Sequence, residues 1–139
     1  MIKKPLCIFI TFFLATNLFA KSEYVKEGIE LYNKKKFEDA KFKFEQDIVF
    51  NPKNEKSYLY LSKIFNEQKK KLLEEKNLNT VILLNPKNEE ATYNLAQLKL
   101  KESDFEGSKK LIEKLFIFCK DYCQKSQNLK IEIEKSLKK

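Results

Sequence analysis

The pentapeptide NPKNE stands at residues 51–55 and again at residues 85–89, with 34 residues separating each letter from its copy. Pro52 and Pro86 have no backbone N–H and disfavour helix at the residue before them, so a helix arriving from the N-terminal side must stop near Asn51 and near Asn85. Two residues later, the side chains of Asn54 and Asn88 can accept a hydrogen bond from the first turn of a new helix. Glu55, Glu89 and Glu90 then place negative charge at its positive end. The pentapeptide therefore reads as a stop and a start within about four residues, and a connection that short makes the two helices spatial neighbours. The second copy implies a second junction of the same shape.

The surrounding composition agrees. The chain has 139 residues, with two glycines, Gly28 and Gly107, and three prolines, of which only Pro52 and Pro86 follow residue 20. Phosphate-cradling loops and dinucleotide fingerprints need clustered glycines, and all-β domains need many turn residues, so these classes are excluded. Apolar residues instead recur at three- and four-residue spacing among Lys, Glu, Leu, Asn and Ala, which predicts an almost wholly α chain. Residues 1–20, MIKKPLCIFITFFLATNLFA, stand apart. Lys3 and Lys4 precede an apolar run over 6–14, and Ala20 ends a stretch that a signal peptidase accepts, which predicts a cleaved export signal. A retained anchor is the competing reading. Against it, the apolar part is shorter than the roughly 20 residues a span needs and is interrupted by Thr11, Thr16 and Asn17. The mature protein is thus expected to be exported, to the periplasm or cell envelope.

A 34-residue period is the length of a tetratricopeptide repeat, and residues 21–54 resemble that family closely. Gly28, Leu31, Tyr32, Phe37, Ala40, Phe44 and Pro52 match its sparse pattern, while Asp47 stands where alanine is usual. Residues 89–122 match through Leu95, Ala96, Leu100, Ser108, Ile112 and Leu115, with SDFEGS at the turn and Lys120 in place of the closing proline. Residues 55–88 match at both ends, through Tyr58, Leu61, Ser62 and Phe65 and through Leu78, Val81, Leu84 and Pro86. Their middle, NEQKKKLLEEK, departs: Lys71 replaces the turn aromatic, Glu74 replaces the small residue, and nothing in it favours a turn. Propensity alone would run one helix over 56–84, about 43 Å long. The register of its neighbours favours a hairpin with a tilted or loosened second helix. Residues 123–139 carry Leu129, Ile133 and Leu137 on one stripe and read as a capping helix, with a binding amphipathic tail as the alternative. The resemblance implies a right-handed α-solenoid of three helix-turn-helix hairpins, 21–54, 55–88 and 89–122, plus that cap.

Function classes narrow in the same way. The formal charge is +8 and every cation is lysine. Lysines interleaved with glutamates describe solvated helix faces, and base readout favours the arginine fork, so no nucleic-acid partner is expected. With no histidine in the chain there is no His-based dyad or triad. Acidic pairs such as Glu74 with Glu75 diverge by about 100° on a helix. No enzyme activity, cofactor or metal site is expected. Cys119 and Cys123 read either as a disulfide, if a turn intervenes, or as two small apolar residues filling the cap interface.

The resemblance implies a peptide or partner helix held along the inner faces of the first helices of the repeats. Carried over by position, that groove comprises Val25, Ile29, Tyr32 and Asn33, then Leu59, Lys63 and Asn66, then Tyr93, Gln97, Leu100 and Lys101. Val25 and Ile29 occupy the places of the Lys and Asn with which chaperone-binding members of the family hold a terminal carboxylate, so such a clamp is not expected. Two readings stand: a non-catalytic envelope adaptor binding another protein, and a lysine-rich module binding an anionic envelope polymer or lipid surface.

Overall fold

The computed structural model describes residues 23–138, so the expected export signal lies outside the described residues. Seven helices run through these residues: α1 over 23–33, α2 Phe37–Phe50, α3 Glu55–Glu67, α4 Lys71–Leu84, α5 Glu89–Lys101, α6 Phe105–Phe116 and α7 Cys123–Leu137. They fall into two compact units divided between Tyr60 and Leu61, inside α3.

Both Asn-Pro pairs stop a helix, since α2 ends at Phe50 and α4 at Leu84. The starts differ. Asn88 caps α5 by accepting the Ala91 N–H at 2.9 Å. In the first junction, Asn54 accepts the Lys56 N–H at 3.2 Å and turns its amide to Asp47, donating to Oδ2 at 2.8 Å. Ser57 donates its hydroxyl to the same oxygen, and both Asp47 and Ser57 are fully buried. Asp47, the departure from alanine noted above, therefore ties α2 to the first turn of α3. Val81 and Ala91 hold the equivalent positions 34 residues on, also fully buried, and make an apolar contact position of what was a polar one.

The turn inside each hairpin also repeats at 34 residues. Lys35, Lys69 and Ser103 lie in the left-handed region at φ 59°, 57° and 62°. In each case the next residue donates its N–H five residues back: Lys36 to the Leu31 carbonyl, Lys70 to Phe65 and Asp104 to Lys99, all at 2.9 Å. This is the six-to-one hydrogen bond of a Schellman helix end, made here without glycine. It stops α3 at Glu67, so the single helix over 56–84 does not form. Of the tilted or loosened second helix that was expected, the loosening is corrected: α4 is an unbroken helix of 14 residues. Glu74 fits the small-residue position because Asn66 donates its amide to the carboxylate at 2.8 Å, although only 5% of Glu74 is exposed.

At the helix crossings Ala40, Ser62, Ala96 and Ser108 are all buried. Gly28 is needed for close approach, because a Cβ there would come within 2.8 Å of the Phe44 ring. Ser108 adds a hydrogen bond, donating to the Ala96 carbonyl at 2.7 Å and so pinning α6 to α5. Phe44, Leu61, Phe65 and Leu95 are buried, whereas Phe37 and Phe105, which open α2 and α6, are half-buried.

In the unit containing residues 61–138, Ala96, Ile112 and Leu115 form one core with Leu129 and Ile133 of α7. The stripe on α7 is Ser126, Leu129 and Ile133. Leu137, expected to extend it, is 42% exposed and lies beyond the core. The segment between α6 and α7 is irregular, and Cys119 and Cys123 are joined across it by a disulfide, with Cα atoms 5.4 Å apart. The carboxylate of Glu89 holds the same segment. It accepts the backbone N–H groups of Lys120, Asp121 and Tyr122, each at 2.9 Å.

Three outcomes follow from these contacts. Lys69→Gly removes the strain of a left-handed lysine and should raise unfolding free energy by about 1 kcal/mol in a denaturant titration. Burial pushes the Glu74 carboxyl above its usual range, with the Asn66 hydrogen bond opposing. A raised folded-state value means the folded chain binds the extra proton, so stability falls as pH rises from the ordinary carboxylate value through the folded one. Glu74→Gln keeps an acceptor for Asn66 without the charge, and should melt above the wild type at pH 7 with the gain vanishing near pH 3. The Glu89 carboxyl is held below its usual range, first by the Lys120 N–H and then by those of Tyr122 and Asp121. Here the sign reverses: stability is present above the ordinary value and is lost as pH falls through the depressed one. Glu89→Gln should therefore melt below the wild type at pH 7, and the two melting curves should converge in acid.

Candidate functional site

The candidate groove residues divide between the two units. Among residues 23–60, Val25, Ile29 and Tyr32 are half-buried and Asn33 is exposed. The Tyr32 ring meets Phe37 at 5.5 Å and Tyr60 edge-on at 5.3 Å, and Tyr60 in turn stacks on Phe44 at 5.0 Å. Tyr32 thus belongs largely to an aromatic core and offers only its rim. Leu59 is 8% exposed and is a core residue more than an anchor.

Among residues 61–138, two of the candidates already have partners. Lys63 on α3 pairs with Glu90 on α5 at 2.7 Å, and the Asn66 amide is the donor to Glu74 described above. The other four come together on α5. Tyr93 packs its ring against Tyr122 at 5.4 Å, and Gln97 donates to the Tyr93 hydroxyl at 3.3 Å. One turn further, Gln97, Leu100 and Lys101 line an open cleft of about 230 Å³. The far wall is Leu129, Glu132 and Ser136 of α7, and Phe105 closes one end.

The α7 wall was not identified from sequence. Its signal was present, because Leu129, Glu132 and Ser136 are spaced three and four apart and share one helical face. Only the packing of α7 against α5 sets the polar residues of that face, exposed Glu132 and half-buried Ser136, along a cleft. The cleft is consequently mixed in character. Leu100, Phe105 and Leu129 supply apolar surface, while Lys101 and Glu132 bring opposite charges to facing helices. Burial pushes the Tyr93 hydroxyl above its ordinary value and the Glu132 charge adds to this. The cleft can hold an apolar side chain and hydrogen-bond a backbone beside it through Gln97. No group of three or more His, Cys, Asp or Glu side chains able to hold a metal stands together among the described residues. Nor is any helix among them long and apolar enough to cross a membrane.

No sequence model of a protein family matches the chain, and no protein of curated function matches it in sequence. Solved structures do match in shape. The first TPR domain of Spaghetti (RPAP3), bound to the HSP90 peptide SRMEEVD, superposes with a TM-score of 0.78 at 16% identity, over 86% of this chain and 94% of that one. The Arabidopsis OM64 TPR domain gives 0.77 at 15% identity, over 86% and 98% of the two chains. The Yersinia enterocolitica type III secretion chaperone SycD, in complex with a peptide of the translocator YopD, gives 0.76 at 12% identity, over 81% and 91%. The 34-residue period, the repeated junctions and turns, and these superpositions lead to one conclusion: the chain has the tetratricopeptide-repeat fold, an all-α helical repeat of about three repeats.

Proposed function

We propose that the protein is a non-catalytic adaptor, exported to the cell envelope by residues 1–20, which holds a peptide segment of another protein in the cleft between α5 and α7. The observation that carries this reading is the cleft itself, where three of the groove positions, Gln97, Leu100 and Lys101, face Leu129, Glu132 and Ser136 across an open space. Two structures of the same fold support it, since one holds an HSP90 peptide and the other a translocator peptide. The chemistry suits an extended segment. Leu100, Phe105 and Leu129 would take an apolar side chain, Gln97 would bond the peptide backbone, and Lys101 with Glu132 would select charge on either side of it. With no histidine in the chain, no side chain has an unperturbed pKa near neutral to offer a substrate as general base.

A photo-reactive residue at Lys101, exposed at the cleft, should label a partner protein in intact cells, whereas the same residue at exposed Lys110 on α6 should not. Leu100→Asp should weaken capture by on the order of tenfold, as expected for a contact at the centre of a site, with the helical circular dichroism retained at the assay temperature. Equal labelling from both positions would sink the cleft as the binding site. Labelling abolished by moderate salt but indifferent to Leu100→Asp would instead favour an anionic polymer gathered by surface lysines.

A further inference from the structure

Proline closes the first two repeats at Pro52 and Pro86, and 34 residues further on Lys120 takes its place. The segment over 117–122, IFCKDY, contains neither glycine nor proline. Local preference would therefore join α6 to α7 as one helix over 105–137, about 50 Å long. The helical hydrogen bonds of α6 do run on to Cys119, which donates its N–H to the Leu115 carbonyl at 2.8 Å. The next three donors are diverted. In a regular helix the N–H groups of Lys120, Asp121 and Tyr122 would meet the carbonyls of Phe116, Ile117 and Phe118, and here all three go to the Glu89 carboxylate. The Cys119–Cys123 disulfide brackets those three residues. Helix α7 then begins at Cys123 with no side-chain cap.

The bridge acts locally. It spans a separation of four residues, and the chain entropy that a disulfide removes grows with the length of the loop it closes, so this one constrains the junction far more than the fold. Both cysteines are half-buried, which leaves the bridge within reach of a dithiol. Once it opens, the diverted N–H groups can return to helix carbonyls with no hydrogen bond lost. The burial of Leu129 and Ile133 and the contact of Tyr122 with Tyr93 are then left to hold α7 against α5.

We propose that the Cys119–Cys123 bridge is a reducible helix stop, a redox switch that seats α7 on α5 in the oxidised chain and releases it in the reduced one. On oxidation the two thiols give up two protons and two electrons as the S–S bond forms. Both pass through a mixed disulfide to a disulfide oxidant, which leaves as a dithiol, and a dithiol reductant drives the reverse. Helix α7 carries Leu129, Glu132 and Ser136, so the far wall of the cleft comes and goes with the bridge. This consequence for capture rests on the function proposed above, and so does its timing: an exported chain would close the bridge, and seat the wall, on reaching an oxidising compartment.

The full chain carrying Cys7→Ser keeps the bridge as its one thiol pair. Amide hydrogen exchange and nuclear Overhauser contacts between rings read α7 with no partner present. In the oxidised chain the amides over 126–133 should be protected and the Tyr93 and Tyr122 rings should be in contact. With dithiothreitol those amides should exchange at least about tenfold faster and the ring contact should weaken, while the amides over 91–98 of α5 keep their protection. Removing the reductant should restore both. The pair Cys119→Ser and Cys123→Ser should match the reduced chain with or without dithiothreitol. Equal exchange and an equal ring contact in the two redox states would overturn the switch, as would two alkylatable thiols in the air-oxidised chain. So would acceleration over α5 as large as over α7, because the bridge would then stabilise the whole unit. Photolabelling from position 101 in cell-envelope extracts should fall on reduction. Release of α7 with labelling unchanged would uphold the switch and remove the cleft as the binding site.

Discussion

A proline cannot donate to the helix behind it, and this chain places one such residue at the end of α2 and another at the end of α4. Everything larger depends on where those interruptions fall. With each helix limited to between 12 and 15 residues from α2 onward, none can bury its apolar face alone, and each must pack on the next. The close crossings, Gly28 against the Phe44 ring and Ala96 against Ser108, depend on interruptions that recur at a fixed interval and keep a small residue at each contact. Where proline is missing, after α6, other forces hold the chain: the disulfide between Cys119 and Cys123 and the three N–H groups on the Glu89 carboxylate.

Identical pentapeptides do not make identical junctions. Asn54 and Asn88 have the same neighbours in sequence, yet Asn54 spends its amide on a buried carboxylate and Asn88 serves as a simple cap. The difference lies outside the pentapeptide, in the pairing of Asp47 with Ser57 against Val81 with Ala91. Either pair fills the site. The polar one fixes direction through hydrogen bonds and leaves the Asp47 Oδ1 buried without a partner, and the apolar one avoids that desolvation altogether.

The helical class, the register and the small crossing positions were legible in the sequence, because they follow from proline chemistry and from apolar spacing. The left-handed turns were legible only in part. Ser103 opens the SDFEGS read as a turn, whereas Lys35 and Lys69 carry no mark of one, and lysine at Lys69 argues by propensity for continued helix. Packing of the flanking helices supplies what the local preference lacks, and the helix end then satisfies its carbonyls through N–H groups from beyond the turn. Glu74 looked like a defect for a related reason. Its partner, Asn66, is eight residues away across the turn, and nothing local announces that the two side chains meet. Asn66 in turn read as a groove residue because position alone cannot show that its donor is already engaged.

The role of α7 is the point at which a fold-level reading is least informative. A capping helix needs only an apolar stripe inward and a polar face outward, and Ser126, Leu129 and Ile133 satisfy that requirement. Yet the same helix forms one wall of the cleft, through Glu132 and Ser136, which cover no core, and through Leu129, which serves both. Its entry is set by the segment that Glu89 grips, and Tyr122, the last residue of that segment, lies against Tyr93 on α5. A change in the grip would move Tyr122 first and then the register of α7 over Gln97 and Leu100. The second copy of the pentapeptide thus acts at two distances: its proline and asparagine set the start of α5, and its glutamate fixes a loop more than 30 residues downstream on which the shape of the cleft depends.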